Sequence, residues 1–353
     1  MMGKKTPETL IFIVLMVYSI IQLMVYNGKL QIHLVAERYH VPGRLNLTGG
    51  PMRNITEPVL LEQPTTSVPL LGWRKTVSWK PGSKLDIYDY LINPVDKCKA
   101  GKDNITLLVL IKSAPGNGHL RDAARQTHIR GAAEEKLSAR MVFIIGESEA
   151  QGVTENIHKE SETHGDILRV GFHDNYYNLT IKLIMGFKWV LEFCSNTEFL
   201  LTTDDDVIVD VPTLVKDLDA LPPKDRSRFV LGKRADGYKP WRNYTGVWDK
   251  WYVPKEFYSN ETYPTFPLGH GYVLSHDVVE KLVQVSRETP TRIPFDDVYC
   301  GILLDKLAIG ILHRPQWFRR HHPKSRERDY LRIEVPAKEM KNAWNSFRIN
   351  HRQ

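Results

Sequence analysis

Three consecutive aspartates, Asp204, Asp205 and Asp206, separate two apolar segments, 199–201 and 207–209. Adjacent carboxylates repel one another, and such a triplet is tolerated where a hard divalent cation lies between the carboxylates and a phosphorylated ligand. The preceding apolar segment is typical of a buried strand, and ligands of open α/β sheets bind beyond the carboxyl ends of the strands. A solvated acidic turn is the alternative. The flanking apolar residues favour a site for a metal and a diphosphate.

A second acidic pair, Asp296 and Asp297, precedes an apolar segment, 298–307, that we predict to be a helix. Carboxylates at a helix N-terminus are favoured by the helix dipole, and this structural role alone would account for Asp296. A carboxylate that projects into the same cleft as a metal–diphosphate would instead act as a general base. On the residues alone both interpretations stay open.

The segments that would position these acids alternate between strand and helix patterns from residue 105 onward. Predicted strands cover 105–111, 141–145, 166–170, 199–201, 229–232 and 272–275, and predicted helices cover 153–163, 175–193, a segment after Asp210, 278–285 and 298–307. Such alternation predicts an α/β fold with a mostly parallel central sheet and flanking helices. A turn with close backbone approach is predicted at 269–271, because two glycines flank His270 there.

Two arginines and an aromatic-rich loop are further candidates for ligand contact. Arg121 and Arg125 are four residues apart, so they share one helix face after the first strand. They suit a diphosphate, or they are solvated helix charges. The loop 238–263 is rich in Tyr and Trp, and we expect one or two of its aromatic side chains to contact a sugar ring or a base.

The N-terminus predicts the compartment. Lys4 and Lys5 precede an apolar run, 10–26, whose length is near the lower limit of about 17 residues that span a bilayer. We predict a cytosolic tail at 1–9, a transmembrane signal-anchor at 10–26, a proline-rich lumenal stem at 27–97 and a catalytic domain at 98–353. A cleaved signal peptide is the alternative, but the residues after Tyr26 form a poor cleavage site. The short span favours a membrane of the early secretory pathway.

A lumenal domain agrees with the remaining composition. Six glycosylation sequons begin at Asn46, Asn54, Asn104, Asn178, Asn243 and Asn260. The net charge of +7 lies largely within 313–332, and with nucleic acid excluded from the lumen it indicates a polyanionic ligand, lipid head groups or a solvated face. The composition is compatible with a homo-oligomer.

Three cysteines, Cys98, Cys194 and Cys300, allow three disulfide pairings in an oxidising lumen. Cys98 lies just before the first predicted strand and Cys194 ends the helix that leads to the central strand. We therefore predict a Cys98–Cys194 disulfide, with Cys300 unpaired on a buried helix.

The order and spacing of these motifs resemble the β-1,3-glycosyltransferases of glycosyltransferase family 31, which includes β-1,3-galactosyl- and β-1,3-N-acetylglucosaminyltransferases. The resemblance extends from about residue 104 to 345, and 111–114 and 295–299 look most similar to the brainiac type. The motifs that carry it are 121–127, 142–146, 165–168, 177–182, 204–206, 250–254, 263–264, 269–275 and 296–301.

The resemblance implies a type II Golgi membrane enzyme with a GT-A fold. It implies inverting, metal-dependent transfer of GlcNAc, Gal or a related sugar from a UDP donor to the 3-hydroxyl of a glycolipid or glycoprotein glycan. The implied metal is Mn²⁺ or Mg²⁺, with Asp206 as its direct ligand and Asp204 on the ribose or on metal-bound water. The implied catalytic base is Asp297. We assign donor contacts to Arg121, Arg125, Asp204 and Asp205, metal contacts to Asp204 and Asp206, and acceptor contacts to Trp251, Gly269, His270, Gly271 and Asp296.

The sequence departs from the family pattern at several positions. Thr203 stands where Lys is usual, and His128 stands where Trp is usual. The C-terminal segment 331–336 contains no His, although many members have a metal-ligating His there. A histidine elsewhere would have to replace it, or Arg332 would contact the diphosphate directly; the candidate histidines are His313, His321 and His322. An inactive relative that serves as a chaperone or sugar-binding protein is the competing function.

Overall fold

Eight strands form a mixed sheet in this computed structural model, which describes residues 85–99, 104–243, 249–290, 293–321 and 329–351. The strands are β1 (Tyr90–Ile92), β2 (Ile105–Lys112), β3 (Ala139–Glu147), β4 (Ile167–His173), β5 (Thr197–Asp204), β7 (Val230–Ala235), β8 (Phe266–Ser275) and β9 (Leu312–His313). Their order is β1-β4-β3-β2-β5-β8-β7-β9. The neighbouring strands β4, β3, β2 and β5 are parallel, which confirms the predicted alternation.

Antiparallel pairs lie on both sides of these parallel strands. Strand β1 runs antiparallel to β4, whereas the edge pair β7 and β9 is parallel. Strand β8 runs antiparallel to both β5 and β7. Four of the seven neighbouring strand pairs are parallel, so the predicted mostly parallel sheet is found, with β1 and β8 as its antiparallel strands.

Helices cover both faces of the sheet. They are α1 (Gly118–Ala124), α2 (Arg130–Glu134), α3 (Val153–His164), α4 (Leu179–Phe193), α5 (Val211–Asp219), α6 (His276–Ser286), α7 (Asp296–Lys306) and α8 (Ala337–His351). All eight residues of β2 are buried: Leu108 and Leu110 share an apolar cluster with α4, and Val109 and Ile111 share another with α5. Burial on both faces explains why residues 107–111 of β2 are all apolar.

A small sheet lies beside the acidic triplet. It contains β10 (Phe318–Arg320), β11 (Leu331–Ile333) and β6 (Ile208–Val209), with β11 antiparallel to β6. The Val335 backbone N–H donates to the carbonyl oxygen of Asp206 at 2.8 Å. Helix α5 begins just beyond β6, where the Asp210 carboxylate caps the backbone N–H of Thr213. The C-terminal segment is therefore fixed against the turn that carries the triplet.

Part of the predicted stem belongs to the folded unit. Leu85 lies in the core, and the Trp189 indole N–H donates to the Asn93 side chain at 2.7 Å. Tyr88 and Tyr90 pack edge-on against Phe172 and Phe193. The domain boundary predicted at residue 98 is therefore too late, because 85–97 already pack on the sheet and α4. None of the helices in the described ranges is long and apolar enough to cross a membrane, and the predicted anchor at 10–26 lies outside those ranges.

The disulfide prediction is confirmed. Cys98 and Cys194 are joined by a disulfide with a Cα–Cα distance of 5.2 Å, and Cys300 is a free thiol buried in α7. The bond links the segment before β2 to the end of α4, at the amino end of the parallel strands.

The sequons differ in accessibility. Asn104, Asn243 and Asn260 are exposed. Asn178 is fully buried, and the amide nitrogen that would carry a glycan donates to the His173 carbonyl at 2.7 Å. The prediction of glycosylation at Asn178 is therefore corrected for the folded protein. The sequons at Asn46 and Asn54 lie outside the described residues.

Candidate active site

The two central parallel strands bring a lysine level with the acidic triplet. In the register of β2 and β5, Ile111 pairs with Thr203 and Lys112 pairs with Asp204. Both residues lie at the carboxyl ends of their strands, the edge at which ligands of such sheets bind. The Thr203 hydroxyl donates to the His270 carbonyl at 2.7 Å, which fixes the neighbouring β8 strand against the same edge.

Lys112 joins the two acidic motifs. Its ammonium nitrogen lies 3.2 Å from Asp204 Oδ1 and 2.5 Å from Asp296 Oδ2, and it donates to the Gly269 carbonyl at 3.3 Å. Its side chain is only 4% exposed. Burial alone would lower the pKa of Lys112, but the charges of Asp204 and Asp296 raise this pKa above its ordinary value. Lys112 therefore remains a cation between two carboxylates that are far apart in sequence.

Asp297 is oriented by backbone donors at the start of α7. Its Oδ2 accepts the Gly269 N–H at 3.1 Å and its Oδ1 accepts the Val298 N–H at 2.8 Å. A Cβ at position 269 would lie 3.0 Å from Asp297 Oδ2, so a glycine there allows this approach. Burial and the neighbouring Asp296 charge raise the pKa of Asp297 above its usual range, whereas Lys112 opposes the rise. A partly buried carboxylate with a raised pKa suits a general base.

The segment 269–271 lies inside β8 rather than at the predicted turn. It continues the antiparallel pairing of β8 with β5, in which Gly271 faces Thr203. The expected close backbone approach is present: a Cβ on Gly271 would lie 2.6 Å from a Leu331 methyl carbon, and Gly271 has a φ of 156°. The His270 ring contacts Phe318 with a centroid distance of 4.9 Å, and burial lowers the pKa of His270.

Asp205 bonds to the loop that follows β2. Its Oδ2 accepts the Ser113 hydroxyl at 2.6 Å and the Asn117 amide at 2.9 Å, and the residue is buried. These bonds tie the loop after β2 to the turn after β5. These bonds give Asp205 a structural role, and its predicted donor contact stays a prediction.

The predicted donor contacts of Arg121 and Arg125 find no support. All five N–H groups of Arg121 donate to protein acceptors, which are the Glu160 carboxylate, the Ser113 hydroxyl and two backbone carbonyls, so none is left for a diphosphate. Arg125 donates to Asp166, Glu160 and Asp122, and its guanidinium lies 5.0 Å from the Phe143 ring centroid. Both arginines belong to a carboxylate network that holds α1 against α3 and β4. The alternative of solvated helix charges is wrong for the same reason.

Asp204 and Asp206 are the triplet carboxylates that could hold a metal. Burial and then the charges of Asp204 and Asp205 raise the pKa of Asp206 to about 6. Negative charge in excess of its local compensation suits a divalent cation, which would reverse that shift. Among the described residues no group of three or more His, Cys, Asp or Glu side chains is gathered as a metal site. Asp204 and Asp206 would therefore supply two ligands to a cation, and the remaining ligands would come from bound molecules rather than from further side chains of this kind.

The residues considered as substitutes for a C-terminal His are engaged elsewhere. His313 Nδ1 accepts the Arg234 backbone N–H at 3.0 Å, and His321 Nε2 lies 2.8 Å from a Glu339 carboxylate oxygen. Arg332 is buried and donates to the Ser346 hydroxyl at 2.8 Å. The structure therefore supports neither of these histidines as a metal ligand nor Arg332 as a diphosphate contact. His322 lies outside the described residues.

Two exposed aromatic side chains border the acids. Trp251 is 37% exposed, and its indole N–H donates to the Tyr176 hydroxyl at 2.8 Å. The Tyr176 ring lies 6.2 Å from that of Phe295, the residue before Asp296. Trp251 is thus well placed for the predicted acceptor contact. Asp296 is not, because it is buried and paired with Lys112, and its assignment to the acceptor is corrected.

Sequence reasoning missed Lys112, Ser113 and Tyr176 as site residues. A lysine at the end of a mostly apolar strand was an available signal, because a buried ammonium requires a carboxylate partner. Tyr176 carried no such signal. Its place beside Trp251 depends on how the start of α4 packs against a loop distant in sequence.

Comparisons with known proteins identify the family of the chain. The family model described as Galactosyltransferase matches residues 119–315. Beta-1,3-galactosyltransferase 2 of Mus musculus is 36% identical over 239 residues, which is 67% of this chain and 55% of that protein. Lactosylceramide 1,3-N-acetyl-beta-D-glucosaminyltransferase of Homo sapiens is 31% identical over 242 residues, which is 66% of this chain and 62% of that protein. The matched part of the chain thus spans less than two thirds of the length of these relatives.

A third relative is matched over more of its length. Beta-1,3-galactosyltransferase 1 of Mus musculus is 30% identical over 263 residues, covering 74% of this chain and 78% of that protein. The solved structure of galactosyltransferase LgtC with donor and acceptor sugar analogues has 9% identity and a TM-score of 0.36. It covers 68% of this chain and 95% of that chain. The family match extends over more than half of the sequence and includes the acidic triplet and Asp297, so the chain belongs to the galactosyltransferase family.

Proposed function

We propose that this protein is an inverting β-1,3-glycosyltransferase with a GT-A-type catalytic domain. It transfers a hexose or N-acetylhexosamine from a UDP-sugar to the 3-hydroxyl of an acceptor glycan. The names of its relatives include galactosyl and N-acetylglucosaminyl transfer, and one names lactosylceramide as the acceptor. Gal and GlcNAc are therefore the first donors to test, and a glycolipid is the first acceptor.

One observation carries the proposal. The Lys112 ammonium contacts Asp204 of the triplet and Asp296, the neighbour of Asp297. The proposed metal and diphosphate site at Asp204 and the proposed general base Asp297 therefore lie at one edge of the sheet.

Asp297 performs the proton transfer in this mechanism. Its carboxylate accepts the proton of the acceptor 3-hydroxyl while that oxygen forms a bond to the anomeric carbon from the face opposite the diphosphate. The bond between the anomeric carbon and the diphosphate oxygen breaks, and UDP leaves. The Gly269 and Val298 N–H groups hold the Asp297 carboxylate in place. Lys112 lowers the negative potential that Asp204 and Asp296 would otherwise create around the departing anion.

Asp204 and Asp206 would hold the divalent cation, Mn²⁺ or Mg²⁺. When bound, this cation supplies neutralisation of the charge that develops on the leaving diphosphate. The raised pKa of Asp206 supports the assignment, because a bound cation would stabilise the ionised form.

We further propose a type II Golgi membrane location. The lysines before the apolar segment 10–26, the proline-rich stem and the sequons support it. The location would place the catalytic domain in the lumen, where the UDP-sugar donor and the glycan acceptor meet. A homo-oligomer is compatible with this arrangement.

A donor screen tests the proposal. The purified full-length chain is incubated with Mn²⁺, each of UDP-Gal, UDP-GlcNAc and UDP-GalNAc, and lactosylceramide or a free glycan panel. We expect one donor to yield a product whose new linkage is β-1,3 by methylation analysis and NMR. An inactive relative would give no product with any donor although it retains UDP binding, and that result would refute the enzyme assignment.

A further inference from the structure

Two aromatic rings and one lysine form an exposed shelf, defined here as Tyr176, Lys250 and Trp251. Tyr176 is 39% exposed and Trp251 is 37% exposed, so both residues reach the protein surface. The Lys250 ammonium lies 4.5 Å from the Trp251 ring centroid and 5.6 Å from that of Tyr176. Exposed aromatic faces of this kind are suited to stacking on a sugar ring.

The shelf borders the proposed base. The Tyr176 ring packs near the ring of Phe295, and Phe295 precedes Asp297 by two residues in the sequence. After burial, which has the largest effect, the charges of Asp297, Asp296 and Asp204 also raise the pKa of Tyr176. An acceptor whose hydroxyl reaches Asp297 would therefore extend over the shelf.

The shelf is also held in place before any ligand binds. The Trp251 indole N–H donates to the Tyr176 hydroxyl, and Tyr176 begins a 3-10 turn capped by the Asn175 side chain, which accepts the Tyr177 N–H at 2.8 Å. A preorganised surface loses little conformational entropy on binding.

The distinctive feature is the charge of Lys250. Across the described residues no carboxylate lies within ion-pair distance of its ammonium, which contacts ring faces instead. A neutral sugar that stacks on these faces must displace the ammonium and offers it only uncharged oxygen acceptors. A sugar with a carboxylate gives the displaced ammonium a charge-assisted hydrogen bond.

We propose that Tyr176, Lys250 and Trp251 form an acceptor subsite selective for a sugar that carries an anionic group, such as the carboxylate of a uronic acid. The inference rests on the proposed transferase function and specifies its acceptor class. Lys250 determines specificity, whereas Asp297 remains the group that acts on the acceptor hydroxyl.

Matched acceptors test the selectivity. Methyl β-galactoside and methyl β-glucoside are each compared with the corresponding uronic acid, which differs only by oxidation at C6. In the wild type we expect kcat/KM for at least one uronide to exceed that of its neutral partner by about tenfold, the scale of a hydrogen bond to a charged group. In Lys250→Met, which keeps an apolar stem, the ratio falls to about one through a higher KM for the uronide. A wild-type ratio of one or less in both pairs, or an unchanged ratio in Lys250→Met, would overturn the proposal.

A matched control and a binding measurement complete the test. Lys255→Met removes a nearby exposed lysine that is paired with Glu261 at 2.8 Å, and it leaves the ratio unchanged. The dissociation constant of each glycoside is measured by calorimetry with UDP present, so the result does not depend on turnover. We expect a uronide to bind about tenfold more tightly to the wild type than to Lys250→Met. If neither uronide binds, the subsite proposal is refuted. If a uronide binds but none of the UDP-sugars is transferred to it or to the other acceptors, the proposed transferase function is refuted and the subsite is not.

Discussion

Replacement of Asp297 by Asn separates its proposed catalytic role from its structural role. Asn is nearly isosteric but cannot accept the acceptor proton, so we expect turnover to fall by about 10²-fold or more. A fall of 10²-fold corresponds to about 2.7 kcal/mol of transition-state stabilisation. The assay measures kcat with saturating donor and acceptor, and UDP binding serves as the control for an intact donor site.

The structure also predicts that the fold tolerates this change. Asn keeps one oxygen for either the Gly269 or the Val298 N–H but loses the other hydrogen bond, at a cost of about 1 kcal/mol. In the folded state burial and Asp296 raise the pKa of Asp297, so its ionised form destabilises the fold at any pH above its unfolded pKa. Asn removes that destabilisation. The two effects oppose each other, and we expect Tm to change by less than about 4 °C.

The pH profile gives a second readout. Asp297 must be ionised to accept a proton, so the wild-type kcat/KM falls as the pH decreases through its raised pKa. This decline therefore occurs at higher pH than for a carboxyl with the ordinary pKa of 3.8. The residual activity of Asp297→Asn lacks this limb.

Asp296→Asn provides the contrast. It removes one carboxylate from the buried Lys112 ammonium, so we expect a loss of about 3 kcal/mol in the free energy of unfolding and a smaller loss of turnover. The reasoning is refuted if Asp297→Asn keeps most of its turnover. It is also refuted if Asp296→Asn damages turnover more while remaining equally folded.

Three further predictions concern residues around the site. Lys112→Met leaves two buried or half-buried carboxylates without their cation and should lower the free energy of unfolding by about 3 kcal/mol. The half-exposed control Lys281→Met should change it by less than about 0.5 kcal/mol in denaturant titrations. Asp206→Ala should weaken Mn²⁺ binding at least about tenfold by calorimetry, and an unchanged Mn²⁺ affinity would contradict the metal assignment. The metal-free Tm should not fall, because burial and the neighbouring aspartates disfavour the ionised form of Asp206 in the folded protein. Peptide mapping after glycosidase treatment should find Asn178 unmodified in folded protein, and a glycan there would show that its burial is wrong.

Several features of the fold were readable because they depend on local pattern. Strand β2 and helix α4 were predicted within a few residues, since an unbroken apolar run and an apolar stripe each report burial directly. The Cys98–Cys194 disulfide followed from the order of those elements. The antiparallel direction of β8 was not readable, because it depends on how segments distant in sequence pair in the folded sheet.

By itself the sequence determined the α/β class, the acidic motifs and the family to which they belong, because each depends on residue types and spacing along the chain. The tertiary structure decided which partner each charge has. It placed Arg121 among acceptors that use all its donors, turned Asp205 towards Ser113 and buried Asn178. It also joined Lys112 to Asp296 across 184 residues of sequence. Such pairings depend on contacts between distant segments, and local periodicity carries no information about them.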